Sequence, residues 1–380
     1  MTKDDLPSET DYALVGKAVP EIAAPELPYK PPMPKSYRPK IALVGAGGIS
    51  FAHLDAYRKA GLDVAAIMSR TLARAETRQK EFYPDAIATD DFESLLRRDD
   101  IEVFDITPHP AERLHLVEAA LKAGKHVLSQ KPFVTDLDTG ERLADLADRH
   151  GVKLAVNQNG RWAPHFAYIR EAVRAGLIGD VVASHTAVHW DHSWIVGTPF
   201  EKIDDLIFFD FAVHWFDFLS RLIGAKATSV YATRNRAAGQ QAKPPLLAQA
   251  LVDFDGGQAS LVFDAAIKHG PLDTTFVGGA KGSLASTGPN LGEQSVTLTT
   301  ADGVARPKLE GAWFNDGFAG TMGELLVAVE EKREPLNGAR GNLDSLALVF
   351  AAIQSAHTGQ AVRPGTVRKV PVASSGLGDA

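Results

Sequence analysis

Cysteine is missing altogether from the 380 residues. Its absence excludes disulfides, thiolate metal sites and a cysteine nucleophile. A long apolar run is missing too. The most hydrophobic stretch, Leu206 to Leu222, is interrupted by Asp210, His214, Asp217 and Arg221, which argues against a membrane span. Basic excess is also lacking: the net charge of −7 offers no cationic face to nucleic acid. Residues 1–17 lack the apolar centre of a secretory signal, and acidic residues crowd their start. These absences lead us to expect a cytoplasmic protein without membrane or nucleic-acid partners. What is present, 45% hydrophobic and 23% charged residues over this length, suits an ordinary globular chain of two domains.

Residues 1–37 stand apart. Pro20, Pro25, Pro28, Pro31, Pro32 and Pro34 favour extended, polyproline-like chain over regular helix or strand. Two readings are open: a disordered tail, or an ordered arm laid across a neighbouring subunit with Leu27 and Tyr29 as anchors.

From Lys40 onward, short apolar runs alternate with amphipathic segments. Strands are expected at Ile41–Val44, Val64–Met68, Val103–Ile106, His126–Leu128 and Leu154–Val156, with helices between them. That alternation predicts an α/β Rossmann domain, a doubly wound parallel sheet, over residues 38–158. Beyond it the rhythm changes. A helix near His165–Ala175, a long strand Val181–Trp190 and an apolar helix over Asp204–Leu222 precede a strand pair around Asp255-Gly256-Gly257, a good hairpin turn. Two helices, near Phe318–Lys332 and Asn342–Ala356, close the chain. Residues 159–380 are therefore expected to form an α+β domain on a large, mostly antiparallel sheet.

Gly45-Ala46-Gly47-Gly48-Ile49-Ser50 follows the first strand and opens a helix. Gly45 permits the tight turn and Gly47 lets the backbone approach a pyrophosphate. The amides through Gly48 and Ile49, at a helix N-terminus, supply donors and a favourable dipole. An NAD enzyme places an acidic residue after the second strand to hold the adenosine ribose. Here Ser69-Arg70-Thr71 stands there instead, and Ser69 and Arg70 suit a 2′-phosphate. NADP is the expected cofactor, with NAD as second choice.

Gly124-Lys125-His126-Val127-Leu128-Ser129-Gln130-Lys131-Pro132 resembles the Gfo/Idh/MocA oxidoreductase family, whose motif here is Glu-Lys-Pro after a strand. Gln130 replaces the Glu. Thr107-Pro108 is similar to the family's Thr-Pro-Asn, with His109 for Asn and an inserted Pro110 that leaves the family's next histidine position uncertain. The resemblance runs from about residue 39 to the C-terminal helices. It implies contact of Thr107, Pro108 and Gln130 with the cofactor, and a cis Lys131–Pro132 bond. A lysine at the carboxyl end of a central strand lies where such sheets bind ligands. Beside a nicotinamide, Lys131 would stabilise developing charge on the substrate oxygen.

On the apolar helix, Asp210 and His214 are four apart and Asp217 three further, which stacks them on one face of an α-helix. The first pair resembles the family's Asp-x-x-x-His. That resemblance implies His214 as general acid/base, and an imidazole exchanges protons near neutral pH. Asp210 would orient it or bind a second substrate hydroxyl, while Asp217 reads as structural. Asn159, Arg161 and Trp162 join the two domains. They would frame the nicotinamide, and Trp162 a sugar face, or else pack the link. In His189-Trp190-Asp191-His192-Ser193-Trp194, alternation puts His189 and Asp191 on one face and Trp190 and His192 on the other. Carbohydrate binding through His189, Asp191 and Trp194 suits this segment better than a metal, and no metal site is expected.

The reading is therefore reversible hydride transfer to or from a sugar, sugar derivative or cyclitol, with Lys131, Asp210 and His214 as the catalytic centre. A sugar lyase or glycosidase working through transient oxidation, and a nucleotide-binding regulator, remain alternatives. The antiparallel sheet carries apolar residues on both faces, and the family resemblance implies that a second subunit covers one of them, giving a homodimer or homotetramer.

Overall fold

A computed structural model describes residues 15–16, 19–224 and 227–371. The first part of the arm, residues 1–14, lies outside the described residues. The N-terminal half runs β1 (Lys40–Val44), α1 (Ser50–Lys59), β2 (Asp63–Met68), α2 (Leu72–Phe82), β3 (Ile87–Thr89), α3 (Phe92–Leu96), β4 (Ile101–Ile106), α4 (Pro110–Lys122), β5 (His126–Gln130), α5 (Leu137–Arg149) and β6 (Leu154–Asn157). The six strands form a parallel sheet in the order β3-β2-β1-β4-β5-β6. The winding direction reverses between β1 and β4, so a crevice opens at their carboxyl ends. Ile41 to Val44 are all 1% exposed or less, as expected of a parallel strand covered on both faces.

The second half contains α6 (Pro164–Arg174), β7 (Val181–His189), α7 (Val213–Ile223), seven strands β8 (Ala227–Asn235), β9 (Leu247–Phe254), β10 (Gly257–Asp264), β11 (Leu272–Gly279), β12 (Gly282–Asn290), β13 (Glu293–Thr300) and β14 (Gly303–Ala305), then α8 (Trp313–Glu330) and α9 (Ala339–Thr358). Its eight-stranded sheet has the order β14-β13-β12-β11-β7-β10-β9-β8. Only the β7–β10 pair is parallel. The hairpin at Asp255-Gly256 forms as the sequence predicts, with Phe254 opposite Gly257. Strands β11 to β13 escape sequence reading because Gly, Ser and Thr dominate them, as in GSLASTGPN of β12.

One face of this sheet is buried through Ala259, Leu261 and Phe263, while the other leaves Tyr231, Leu251 and Phe276 between 43% and 59% exposed. Helix α8 returns to the parallel sheet. Its Phe318, Met322, Leu325 and Leu326 share a core with Leu43, Leu54 and Tyr57. The parallel sheet is thus completed by a segment from the far end of the chain.

Two expectations change. The stretch 204–222 is not one α-helix: a π turn over Ile207–Phe211, closed by the Ala212 amide on the Ile207 carbonyl at 2.6 Å, precedes α7. Five-residue spacing there rotates Asp210 away from the row it would share with His214 and Asp217. Residues 19–37 of the arm, for their part, pack against their own chain. Glu21 bridges to Val304 beside β14, the Tyr168 hydroxyl donates to Pro25 O at 3.0 Å, and Leu27 and Tyr29 join the core of the same chain. The amides of Lys35, Ser36 and Tyr37 converge on the Glu330 carboxylate.

Candidate active site

The glycine loop joins β1 to α1 at the crevice. Gly45 adopts a φ of +106°, and a Cβ there would fall 2.5 Å from Thr107 Oγ1 and 2.8 Å from Pro108 Cδ. The two loops therefore approach each other through a missing side chain. Thr107 Oγ1 donates back to the Gly45 carbonyl at 2.7 Å. Around Gly47 and Gly48 a Cβ would meet nothing within 4 Å. No side chain caps the α1 N-terminus, so open space and free amides coincide where a pyrophosphate would sit. Ser50, where a third glycine is usual, donates to the Gly47 carbonyl at 2.6 Å. After β2, Ser69 is nearly buried. Arg70 is exposed and touches Glu112 on α4 at 3.1 Å. The residues present fit a nicotinamide dinucleotide.

At the end of β5 the Lys131–Pro132 bond is cis. The Lys131 ammonium donates to the Asp210 carbonyl at 2.8 Å and lies 3.2 Å from its carboxylate. Lysine from the parallel sheet and aspartate from the π turn thus meet across the boundary between the two halves. His214 stands on the first turn of α7. Its Nδ1 is buried without a partner, which leaves Nε2 as the nitrogen able to exchange a proton. Burial, and then the Lys131 charge, push its pKa down to about 3, so the imidazole is neutral at ordinary pH. This revises the expectation of titration near neutrality. Gly160 makes room for the ring, since a Cβ there would come 2.9 Å from Trp313 Cζ2 and 3.5 Å from His214 Nδ1.

No hydrogen bond joins Asp210 to His214 among the described residues, so Asp210 does not orient the imidazole. Asp217 faces elsewhere, taking both Arg161 nitrogens at 2.7 and 2.6 Å and the Ser345 hydroxyl at 2.8 Å. That commits Arg161, which is 5% exposed, to packing within the second domain rather than to a cofactor. Trp162 is buried beneath Arg170, 5.7 Å from its guanidinium carbon. Asn159 is buried and accepts from Trp313 Nε1 at 3.0 Å. These three positions build the wall behind His214 and do not face the cleft. Gln130 is buried as well. It accepts the Lys131 amide at 2.7 Å and turns its other end to His53 at 3.3 Å, so both ends are used within the protein.

The segment after β7 keeps the grouping that alternation predicts, although the strand stops at His189, and it is the other pair that turns inward. His189 lies on the outer face of the sheet against Asp264 at 2.9 Å. Asp191 is exposed and accepts the Ser193 amide at 2.9 Å. The inward residues are Trp190 and His192, whose rings lie 4.6 and 4.7 Å from that of Phe211. His192 is 8% exposed with Nδ1 unpartnered. Burial lowers its pKa to about 4, and Asp210 and Lys131 are both close enough to act on it. Sequence reading passed over it for its neighbours. Trp194 is 56% exposed and 5.4 Å from Phe200, which in turn lies 5.7 Å from His109. An aromatic row therefore spans from the second half of the chain to the Thr107-Pro108 loop.

A buried polar cluster beneath the site has no counterpart in the sequence reading. His53 Nδ1 lies 2.7 Å from Asp105 Oδ2, and the Tyr57 hydroxyl donates to the same oxygen at 2.7 Å. Asn157 reaches His53 Nε2 at 3.2 Å and accepts from Thr321 at 2.8 Å. Only the scattered polar residues on apolar strands and on α1 hint at it.

Comparison with known proteins gives consistent matches. The NAD-binding Rossmann-fold model of the GFO/IDH/MocA oxidoreductase family matches residues 39–158, and the GFO/IDH/MocA C-terminal domain matches residues 166–285. Inositol 2-dehydrogenase of Rhizobium meliloti is 26% identical over 324 residues, 83% of this chain and 96% of its own. A myo-inositol dehydrogenase of Streptomyces leeuwenhoekii is 30% identical over 342 residues, 84% of this chain and 98% of its own. Among solved structures, an oxidoreductase from Agrobacterium radiobacter in complex with NAD+, L-tartaric acid and magnesium superposes with a TM-score of 0.77 at 20% identity, covering 87% of this chain and 99% of that one. No helix among the described residues is long and apolar enough to cross a membrane.

Proposed function

The chain belongs to the Gfo/Idh/MocA family of oxidoreductases, and on that footing we propose that it is an NADP-dependent dehydrogenase or reductase of a sugar, sugar derivative or cyclitol. The observation that carries this reading is the meeting of Lys131 and Asp210 at 3.2 Å beside a neutral His214. When bound, the nicotinamide exchanges hydride at C4 with the substrate carbon.

The amides of Gly47, Gly48 and Ile49 would hold the pyrophosphate, while that of Gly45 donates to the Met68 carbonyl at 2.8 Å and fixes the turn. Thr107 and Pro108 would border the ring, and Lys131 would hydrogen-bond the substrate oxygen. As the carbon loses hydride, negative charge that would collect on that oxygen is met by the Lys131 ammonium. The hydroxyl proton passes to His214 Nε2, which is free to accept because the imidazole is unprotonated. Asp210 holds the lysine through its main-chain carbonyl and its carboxylate, keeping the ammonium aimed while water is excluded. In the reverse direction hydride adds to the carbonyl carbon while the Lys131 ammonium meets the charge growing on its oxygen. Trp194, exposed and flanked by His192 and Phe200, offers a stacking surface for the apolar face of a sugar ring.

The preference for NADP rests on Ser69 and Arg70. The Arg70–Glu112 contact is a solvated pair of little worth, and a 2′-phosphate would displace it with charge-assisted bonds. Assembly as a homodimer or homotetramer is supported by the uncovered sheet face bearing Tyr231, Leu251 and Phe276, which a second copy would bury. Light scattering reads that assembly, and a monomer at micromolar concentration removes it. For the reaction itself, NADPH formation by the purified enzyme should be measured over a panel of inositols, aldoses and anhydrosugars. Turnover with at least one polyol, lost in Lys131→Ala, is expected. No hydride transfer to any of them would overturn the proposal.

A further inference from the structure

Arg113, the fourth residue of α4, is 1% exposed. Its Nη1 donates to the Pro108 carbonyl at 2.6 Å and its Nη2 to the Phe133 carbonyl at 3.2 Å. Nε has no partner. No carboxylate lies within ion-pair distance of it among the described residues, and the charge that acts on it most is Asp210, from a distance. Two neutral carbonyls do not repay the loss of water around a guanidinium, so a lone buried arginine of this kind calls for an anion.

Beside it is a cavity of about 60 Å³, lined by Arg113 with Ser129, Thr135 and Thr139, and closed by apolar residues including Leu114 and Val117. A water needs roughly 10–15 Å³ of such volume, so a group of four or five heavy atoms fits. Ser129 is fully buried, and its hydroxyl makes only a long contact of 3.4 Å with the Gln130 carbonyl. The unpartnered Nε and the remaining Nη hydrogens, with three hydroxyls lining the same cavity, match an acceptor carrying several oxygens better than a spherical ion.

We propose that this crevice, between α4, α5 and the end of β5, binds a small oxyanion of phosphate or carboxylate size on Arg113. The site is tied to the active centre by its own bonds. Pro108 follows β4 at the glycine loop, and Phe133 is two residues beyond Lys131. An anion here neutralises a cation behind the turn that carries Lys131, and it stiffens the Arg113 tie between the two loops.

The full-length protein is to be titrated with phosphate at constant ionic strength, a bulky sulfonate salt making up the balance, while thermal unfolding is followed. A saturable rise in Tm of about 3 °C or more is expected at saturation. Because phosphate would also find the Gly45 loop, Thr139→Leu is the discriminating variant. It fills the cavity and spares Arg113, and it should keep the fold but lose the response. Crystals soaked in selenate should show an anomalous peak within hydrogen-bond distance of the Arg113 guanidinium. An undiminished response in folded Thr139→Leu, no saturable response at all, or selenate seen only at the Gly45 loop would each overturn the site. None of these readouts involves turnover, so failure here leaves the proposed reaction standing.

Discussion

Gln130 and His53 meet nitrogen to nitrogen, Nε2 to Nε2, at 3.3 Å. The Gln130 orientation is set by its oxygen, which accepts the Lys131 amide at 2.7 Å, so its NH2 must point at the ring. A donor facing a ring nitrogen makes a hydrogen bond only with a lone pair. His53 therefore carries its proton on Nδ1 and donates it to Asp105, 2.7 Å away. Gln130 thus positions Lys131 from below. Gln130→Leu would leave the Lys131 amide without its acceptor, at a cost of about 1–3 kcal/mol. We expect kcat to fall about tenfold or more with cofactor affinity held, and Gln130→Glu to restore turnover while protonating both His53 nitrogens, visible by nitrogen NMR. Full activity in Gln130→Leu would refute the positioning role.

Removing the Lys131 ammonium should cost on the order of a hundredfold or more in turnover. Binding of NADPH to Lys131→Ala, followed by fluorescence, should persist because the glycine loop is untouched. Asp210→Asn keeps the main-chain acceptor at 2.8 Å and loses only the carboxylate, so it should be milder. His214→Asn should lower turnover as well. With the wild-type pKa near 3, its pH profile should differ from wild type only in the acid range, and a change confined to pH 6–8 would count against this assignment.

Arg70→Ala should narrow the preference for NADPH over NADH without altering NADH binding. Titration calorimetry on both proteins gives the comparison. Equal affinities for the two cofactors in the wild type would return the chain to NAD.

Acid should destabilise the fold well before the carboxylates titrate. Burial lowers the pKa of His165 and His214 to about 3 and of His192 to about 4. Unfolded, each would protonate near 6.5, so between about pH 6.5 and 4 these three sites bind up to three protons in the unfolded chain that they refuse in the folded one. His126, also lowered by burial, adds in the same direction. Asp273 opposes one of the three protons: burial raises its pKa to about 7, and it keeps a proton that the unfolded chain has lost. The net of about two protons means stability rises with pH across that window by roughly 2.7 kcal/mol per unit. Above about pH 7 Asp273 is ionised in both states, so its opposition ends and its unpartnered burial remains as a constant cost. Asp273→Asn should therefore raise Tm most at pH 8–9, less at pH 5, and least near pH 4. Urea unfolding across pH reads both effects, and a flat profile from 4 to 6.5 would contradict the buried neutral histidines.

Deleting residues 1–36 should lower stability rather than change subunit number. Gly323 has no side chain because the Pro32 carbonyl would lie 2.0 Å from its Cβ, and deletion opens that groove to water while freeing Glu330. Light scattering and thermal unfolding on the shortened chain separate the two outcomes. Loss of assembly with unchanged Tm would return the arm to a neighbouring subunit.

Periodicity and turn residues determined much by themselves. Apolar runs separated by amphipathic segments specify a parallel sheet because its strands are covered on both faces. Gly45 and Gly47 mark the phosphate loop because only glycine tolerates that turn and that approach. Lys131 and His214 stand out because a charged residue at a strand end, or a polar one in an apolar helix, demands a local reason. Tertiary structure alone decided which polar groups face one another. The π turn at Ile207–Phe211 sends Asp210 to Lys131 and leaves Asp217 to Arg161, and no spacing rule written for an α-helix anticipates a five-residue turn. Alternation separates His189 from His192, but only the packing of Trp190 and His192 on Phe211 decided that their face lines the cleft. Arg161, Trp162 and Gln130 read as ligand-facing, yet each is consumed by partners from 1 to 175 positions away along the chain. Such pairings lie within each domain and depend on how its elements pack, which residue type alone does not reveal.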